Sequence, residues 1–176
     1  MKHIINIVGQ EKGLFSAMLG EAHQHIIAGL LLRAGFAVAA APVCTGAYDL
    51  IITAYPNRIN RPREQVLLRA QCRTVVKSMK LIGGTRGGVD RSYVRPSPKE
   101  YKYTEEHNDL IIGIHKDSLD LYIVPTRFTM KWGKSVSVSR LKPLLWRFDL
   151  LLNWRDDYLD KEYQELYGKQ LVLPLF

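Results

Sequence analysis

The sequence predicts an α/β or α+β fold built round a mixed sheet, and three observations carry that reading. A long stretch near the start repeats its apolar side chains at helical spacing. Three runs rich in Val, Ile and Leu follow, separated by polar connections. Two further apolar runs then flank a short polar break, and a helix-prone, aromatic segment follows them. The order helix, three strands, loop, two strands, helix suits a layered domain in which helices cover a sheet. With 176 residues the chain suits one compact domain, 1–176, with a core over 14–126 and a basic, aromatic C-terminal extension over 127–176.

Each element has its own signal. Phe15, Met18, Leu19, Ala22, Ile26 and Leu30 recur at helical spacing and predict a helix over 13–34, which Gly35 stops. The runs Phe36–Pro42, Tyr48–Tyr55 and Val66–Val76 read as strands. Between the last two lies a polar loop, 56–63, which can follow a phosphate backbone. A glycine- and arginine-bearing stretch, Gly83–Pro98, precedes Leu110–His115 and Leu119–Val124, which flank Lys116-Asp117-Ser118 and read as a hairpin. The segment from Ser139 to Tyr167 is helix-prone.

Composition narrows the class. Hydrophobic residues make up 47% and charged residues 24%, so the chain is neither disordered nor fibrous. No run of about 18 apolar residues spans a membrane. The apolar opening is too short for a signal peptide. Cys44 and Cys72 make neither a disulfide framework nor a zinc site, and a reducing cytoplasm is the expected location. The net charge is +8, and it is unevenly placed: residues 56–99 hold 11 basic and 2 acidic side chains, and residues 127–147 hold 6 basic ones and no acid. Two basic segments suit a polyanionic partner such as nucleic acid, because neutralising phosphates releases counterions; a solvated, slightly basic surface is the alternative.

Asp49 opens the apolar run Leu50-Ile51-Ile52-Thr53 and is either a solvated strand-end residue or a metal ligand. On the next strand, alternation puts Arg69, Gln71 and Arg73 on one face and Leu68, Ala70, Cys72 and Thr74 on the other. A neighbouring strand can therefore bring Asp49 against Gln71 and Arg73, as a site or as a salt-bridged wet face. Glu21 lies on the flank of the helix's apolar face and points either outward or at a cation. His23 and His25 lack zinc spacing relative to Glu21 and read as surface or satisfied core histidines.

In order, these pieces resemble the PD-(D/E)XK nuclease superfamily, and within it the group I intron-associated homing endonucleases. The resemblance rests on a helix Glu (Glu21), Tyr48-Asp49-Leu50, and Gln71-Cys72-Arg73-Thr74. Asn108-Asp109-Leu110 looks like the family's later strand, Leu121–Pro125 its returning strand, and Leu152-Asn153-Trp154 its C-terminal helix. The fold it implies is a restriction-endonuclease-like mixed β-sheet core flanked by helices. The function it implies is Mg²⁺-dependent hydrolysis of double-stranded DNA, with one or two Mg²⁺ per site. Asp49, Glu21 and Gln71 would hold the metal, with Arg73 completing the catalytic set, and the assembly would be a homodimer or homotetramer.

The chain departs from the family at position 73, where arginine replaces lysine. Arginine supplies charge but cannot accept a proton, and its planar fork is no substitute for an ammonium. Lys77, four residues on, shares the face of Arg73 if the strand stays regular. The DNA contacts expected are Arg58, Arg61, Arg63, Lys77, Lys80, Arg86, Arg91, Arg95, Lys131 and Lys134. Thr85–Arg95 matches no phosphate-cradling motif and reads as a basic groove loop. Arg127, Arg140, Lys142 and Arg147 interleave with Phe128, Trp132 and Trp146, a pattern that suits phosphate contacts or an amphipathic surface. The acidic, Tyr-rich segment Asp156–Tyr167 reads as a solvated or subunit-contacting face. The alternative function is a DNA-binding module of the same fold that no longer cuts.

Overall fold

A computed structural model of the chain describes residues 12–41, 47–84 and 100–168. Arg86, Arg91, Arg95 and Cys44 lie outside the described residues.

Helix α1 (Lys12–Arg33) ends as its sequence requires. Gly35 takes φ 91, a left-handed conformation that costs a residue with a Cβ. Its N–H reaches Leu32 O, and the Phe36 N–H reaches Leu31 O, both at 3.0 Å. Two orphan carbonyls are thereby satisfied, with Phe36 and Leu31 buried together. The row that α1 turns to the sheet is His23, Ile27 and Leu31, all buried. Met18, expected on the apolar stripe, is 49% exposed, as is Leu14, and Leu32 is 55% exposed. Apolar residues occur on nearly every side of this helix, so periodicity alone did not select the packed face.

The main sheet has the order β1 (Val38–Ala40), β2 (Leu50–Ala54), β3 (Val66–Val75), β7 (Leu110–His115), β8 (Leu121–Pro125). All neighbours are antiparallel except β3 and β7, which run parallel, with Gln71 opposite Ile111 and Arg73 opposite Gly113. The hairpin expected from β7 and β8 is present. A parallel pair cannot be closed by a tight turn. The crossover from β3 to β7 contains β4 (Ser78–Lys80), β5 (Ile82–Gly83) and β6 (Tyr101–Lys102). β5 pairs with β6, and β4 with β9 (Ser135–Ser137). These strands of two or three residues are too short to leave a period-2 signal.

The C-terminal segment breaks into α2 (Val138–Leu141), a 3-10 turn at Pro143, α3 (Phe148–Leu152) and α4 (Asp156–Tyr167). Trp146 sits at φ 55 between the turn and α3, where no helix can continue. These helices belong to the same core as the sheet: Leu141, Leu150, Leu151, Leu159 and Tyr167 are buried within it. Tyr55 N–H donates to Leu151 O, and Trp154 N–H to Tyr55 O, both at 2.8 Å. Arg147 is forked onto Asp149 with two 2.7 Å bonds and reaches Glu162 at 2.5 Å. Burial would raise the Asp149 pKa, but the hydrogen bonds from Arg147 and Tyr158 pull it below its ordinary value. Among the described residues no helix is long and apolar enough to cross a membrane.

Two glycine replacements in or beside α1 should move stability in opposite directions. Gly35→Ala should cost about 1–2 kcal/mol through its left-handed backbone. Gly20→Ala, in the exposed helix with open space around its Cβ, should gain about 0.5–1 kcal/mol from helix propensity. Urea unfolding of the two variants checks both signs.

Candidate active site

Asp49 stands where β2 begins, and the ladder places it beside β3. Its N–H donates to Ala70 O at 2.8 Å, and its Oδ2 accepts the Cys72 N–H at 2.8 Å. The same Oδ2 accepts the Gln71 side-chain N–H. Asp49 and Gln71, singled out in sequence, are thus in direct contact, with Gln71 only 5% exposed. Arg73 follows one pleat further on the same face. The shared acceptor Cys72 O, 3.3 Å from Gln71 Nε2 and 3.4 Å from Arg73 Nη1, ties the two side chains into one group.

The environment of Arg73 comes from the crossover. Its Nη2 donates to Ile82 O at 3.2 Å and to the Tyr103 hydroxyl, and the guanidinium lies 5.2 Å from the Tyr103 ring centroid. Its Nε is buried with no hydrogen-bond partner among the described residues. Between Gln71 and Arg73, Cys72 turns to the opposite face; burial, and then the Asp49 charge, push its thiol well above its ordinary pKa. Cys72 is therefore a protonated core residue at neutral pH and no nucleophile.

Glu21 is not part of this group. It is two residues before His23, so about 200° separates the two round the helix. His23 is the one that faces β3, with Nδ1 2.7 Å from Thr74 Oγ1. Burial, and then the charge of Lys116, lower the His23 pKa, so His23 stays neutral near pH 7. Glu21, with its side chain 62% exposed, lies 3.4 Å from His25. Among the described residues no three His, Cys, Asp or Glu side chains converge as a metal cluster. Lys77 does not replace the missing lysine either. β3 ends at Val75, and the chain bends at 76–77 to enter β4, which breaks the alternation that would align Lys77 with Arg73.

The basic residues divide by what holds them. Arg58 donates to Pro62 O and stacks 4.4 Å from the Tyr55 ring, Arg61 pairs with Glu64 at 3.1 Å, and Lys134 pairs with Glu100 at 2.9 Å. Arg63, Lys77, Lys80 and Lys131 are exposed, and no acid among the described residues pairs with them. Arg127 pairs with Glu105, Asp156 and Asp160, Arg147 with Asp149 and Glu162, and Arg140 lies over the Trp132 and Tyr167 rings. Those three arginines are therefore structural. Of the acids of α4, Asp156 and Asp160 are exposed partners of Arg127 and Glu162 is a half-buried partner of Arg147, whereas Asp157 pairs with Arg155 and Glu165 with Lys161.

Asn108 and Asp109, noted in sequence only as the start of a strand resembling the family's later one, have two roles that the sequence did not assign. Asp109 accepts the Arg69 N–H at 2.6 Å and its guanidinium at 2.9 Å, pinning β3 to the start of β7. Asn108 is completely buried; its Nδ2 donates to Ala47 O at 3.0 Å, and its Oδ1 accepts from Thr126 Oγ1 at 2.6 Å. Ala47 lies two residues before Asp49, so Asn108 fixes the approach of the carboxylate to β3. An Asn-Asp pair before an apolar strand is the only signal either residue left. Asn108→Ala strands the half-buried Ala47 carbonyl and the buried Thr126 hydroxyl, and should cost about 2 kcal/mol. It should also speed amide exchange at Asp49 and Cys72 relative to β8, which hydrogen exchange followed by NMR would show.

No protein-family model matches the chain, and no curated protein matches it in sequence. Among solved structures it is similar to a bacterial homing endonuclease, I-Ssp6803I, with a TM-score of 0.58 and 16% identity, over 83% of this chain and 97% of that one. The chain therefore has a homing-endonuclease-like α+β fold.

Proposed function

We propose that the chain is a metal-dependent endonuclease of the PD-(D/E)XK type that hydrolyses phosphodiester bonds in double-stranded DNA, of the homing kind. The observation that carries this reading is the contact of Asp49 with Gln71, with Arg73 beside them, where β2 meets β3.

A donor set of one carboxylate and one amide is too thin for a closed metal cage. It suits Mg²⁺, which keeps several waters and takes one or two carboxylates together with substrate phosphate oxygens. Asp49 and Gln71 would hold the ion, with Gln71 turning its amide oxygen toward it in place of the N–H now given to Asp49. When bound, Mg²⁺ polarises the scissile phosphate and lowers the pKa of its water. Asp49 contributes the negative charge and is oriented by the Cys72 N–H. Arg73 contributes a permanent positive charge that offsets the charge developing on the phosphate, and it takes no proton. Glu21, on the far side of α1, stays outside this set.

The DNA is held through Arg63, Lys77, Lys80 and Lys131, with Arg58, Arg61 and Lys134 at their edges and the stretch bearing Arg86, Arg91 and Arg95 adding groove contacts. Cutting both strands needs two such sites, which a homodimer or homotetramer supplies. One observation favours the non-cutting module instead: the terminal nitrogens of Arg73 are already bonded to the protein.

Incubating wild type and Asp49→Ala with a mixed DNA library in Mg²⁺ or Mn²⁺ separates the two readings. The nuclease predicts discrete products that fall at least about a hundredfold in the variant, as expected for loss of the principal metal ligand, with duplex binding retained. Salt-sensitive binding without products from the wild type marks the module. Gln71→Glu tests the ligand set without any cutting. A second carboxylate against Asp49 should lower the melting temperature in EDTA, and Mg²⁺ should then raise it by more than it raises that of the wild type.

A further inference from the structure

We infer that Tyr103 is the positioning residue for Arg73, and that Tyr103, Ile82 and Cys72 form a cradle that makes position 73 specific for arginine. The inference rests on the nuclease reading for its consequence, but its structural part stands on its own.

Tyr103 is itself held firmly. It is 2% exposed, its N–H donates to Leu81 O at 3.1 Å, and its ring meets Tyr101 edge-on with centroids 5.7 Å apart. Tyr101 in turn stacks on His107 at 4.7 Å. From this support the Tyr103 hydroxyl accepts from Arg73 Nη2, and its ring lies under the guanidinium. Two carbonyls complete the cradle: Ile82 O takes the same Nη2, and Cys72 O takes Nη1.

Three acceptors, one on Nη1 and two on Nη2, engage both arms of a guanidinium fork. A lysine ammonium is a compact charge on a flexible stem and cannot fill all three positions. Three of the five guanidinium N–H groups are thereby used, and of the two left, one on Nη1 and one on Nε, the Nε–H is buried with no partner among the described residues. The arginine is therefore a built component whose charge is fixed beside Asp49 and Gln71. On the nuclease reading it is then not the residue of a decayed lysine site, and the two accounts make opposite predictions for Arg73→Lys.

The test combines Arg73→Lys, Tyr103→Phe and the double variant, with the Arg73 Nε–H resonance assigned by its loss in Arg73→Lys. In Tyr103→Phe, which keeps the ring, that resonance should shift and exchange faster with water. Nicking of a supercoiled mixed-sequence plasmid library in Mn²⁺ should slow about tenfold or more, as misplacement of a catalytic group does. Duplex affinity in Ca²⁺ should stay within about twofold, since the phosphate contacts that set it lie on other residues. Arg73→Lys should slow nicking rather than speed it, and Tyr103→Phe should add nothing on top of it, because the tyrosine acts only through the arginine. An unchanged Arg73 resonance in Tyr103→Phe, or nicking by Arg73→Lys at or above the wild-type rate, overturns the inference. Wild type that never nicks overturns the nuclease reading instead, and the resonance alone then decides whether Tyr103 holds Arg73.

Discussion

The parallel pairing of β3 with β7 is the constraint from which the site follows. Antiparallel neighbours can be joined by a turn, but a parallel pair forces the chain to travel back along the sheet before it re-enters. Here the return carries β4, β5 and β6, and it brings Ile82 and Tyr103 against Arg73. The antiparallel edge on the other side of β3 delivers Asp49 to Gln71. β3 therefore displays a residue set that neither neighbour could assemble alone. The pins on either side are polar: the half-buried pair of Arg69 with Asp109 at one point, and the buried Asn108 with Ala47 and Thr126 at another. Buried polar groups are costly unless bonded, so these pairs fix where β2 and β7 begin, and with them the position of the carboxylate.

A net charge of +8 overstates the free positive surface. Arg69, Arg127 and Arg147 are bonded to carboxylates, and their guanidinium pKa values are raised, with hydrogen bonds and nearby negative charges outweighing desolvation. Arg140 is spread over two aromatic rings. The segment 127–147 looks in sequence like a second phosphate-binding stretch, but its arginines hold α4, α3 and the aromatic core together. Among the described residues, the cations of the two basic segments with neither an acid nor a ring partner are Arg63 on the loop before β3, Lys77 and Lys80 at the two ends of β4, Lys131 and Lys142. Charge totals say that a partner is plausible; only pairing says which residues can meet it.

Much of the fold was legible because the elements that carry it are long. α1, β2, β3 and both strands of the β7–β8 hairpin are each five residues or longer, and alternation correctly placed Arg69, Gln71 and Arg73 on one face of β3. The contact of Asp49 with Gln71 was legible for the same reason. Glu21 was not, because α1 is apolar on several sides and the packed row was set by Ile27 and Leu31 with a histidine, His23, among them. Tyr103 left no signal. It sits just past a two-residue strand, and its role depends on a fold-back that no local pattern encodes. Lys77 failed for a backbone reason: the strand turns before it.

The chemistry of an arginine site differs from that of a lysine site in more than basicity. Among the described residues Asp49 is the carboxylate in contact with Gln71, and Arg73 sits beside the same pair, so on the proposed reading the charge of this group is close to balanced before any ligand arrives. A divalent cation entering such a site gains little from the protein alone, because one carboxylate is partly offset by a guanidinium that cannot lose its proton. The missing negative charge has to come with the phosphate, which the same guanidinium attracts. Metal and DNA then favour each other's binding, as reciprocal linkage requires. A site built with a second acid and a lysine can hold its metal first and meet DNA later. On the proposed reading, a site built with glutamine and a cradled arginine would assemble its electrostatics only when the duplex is in place, which would tie cutting to correct docking.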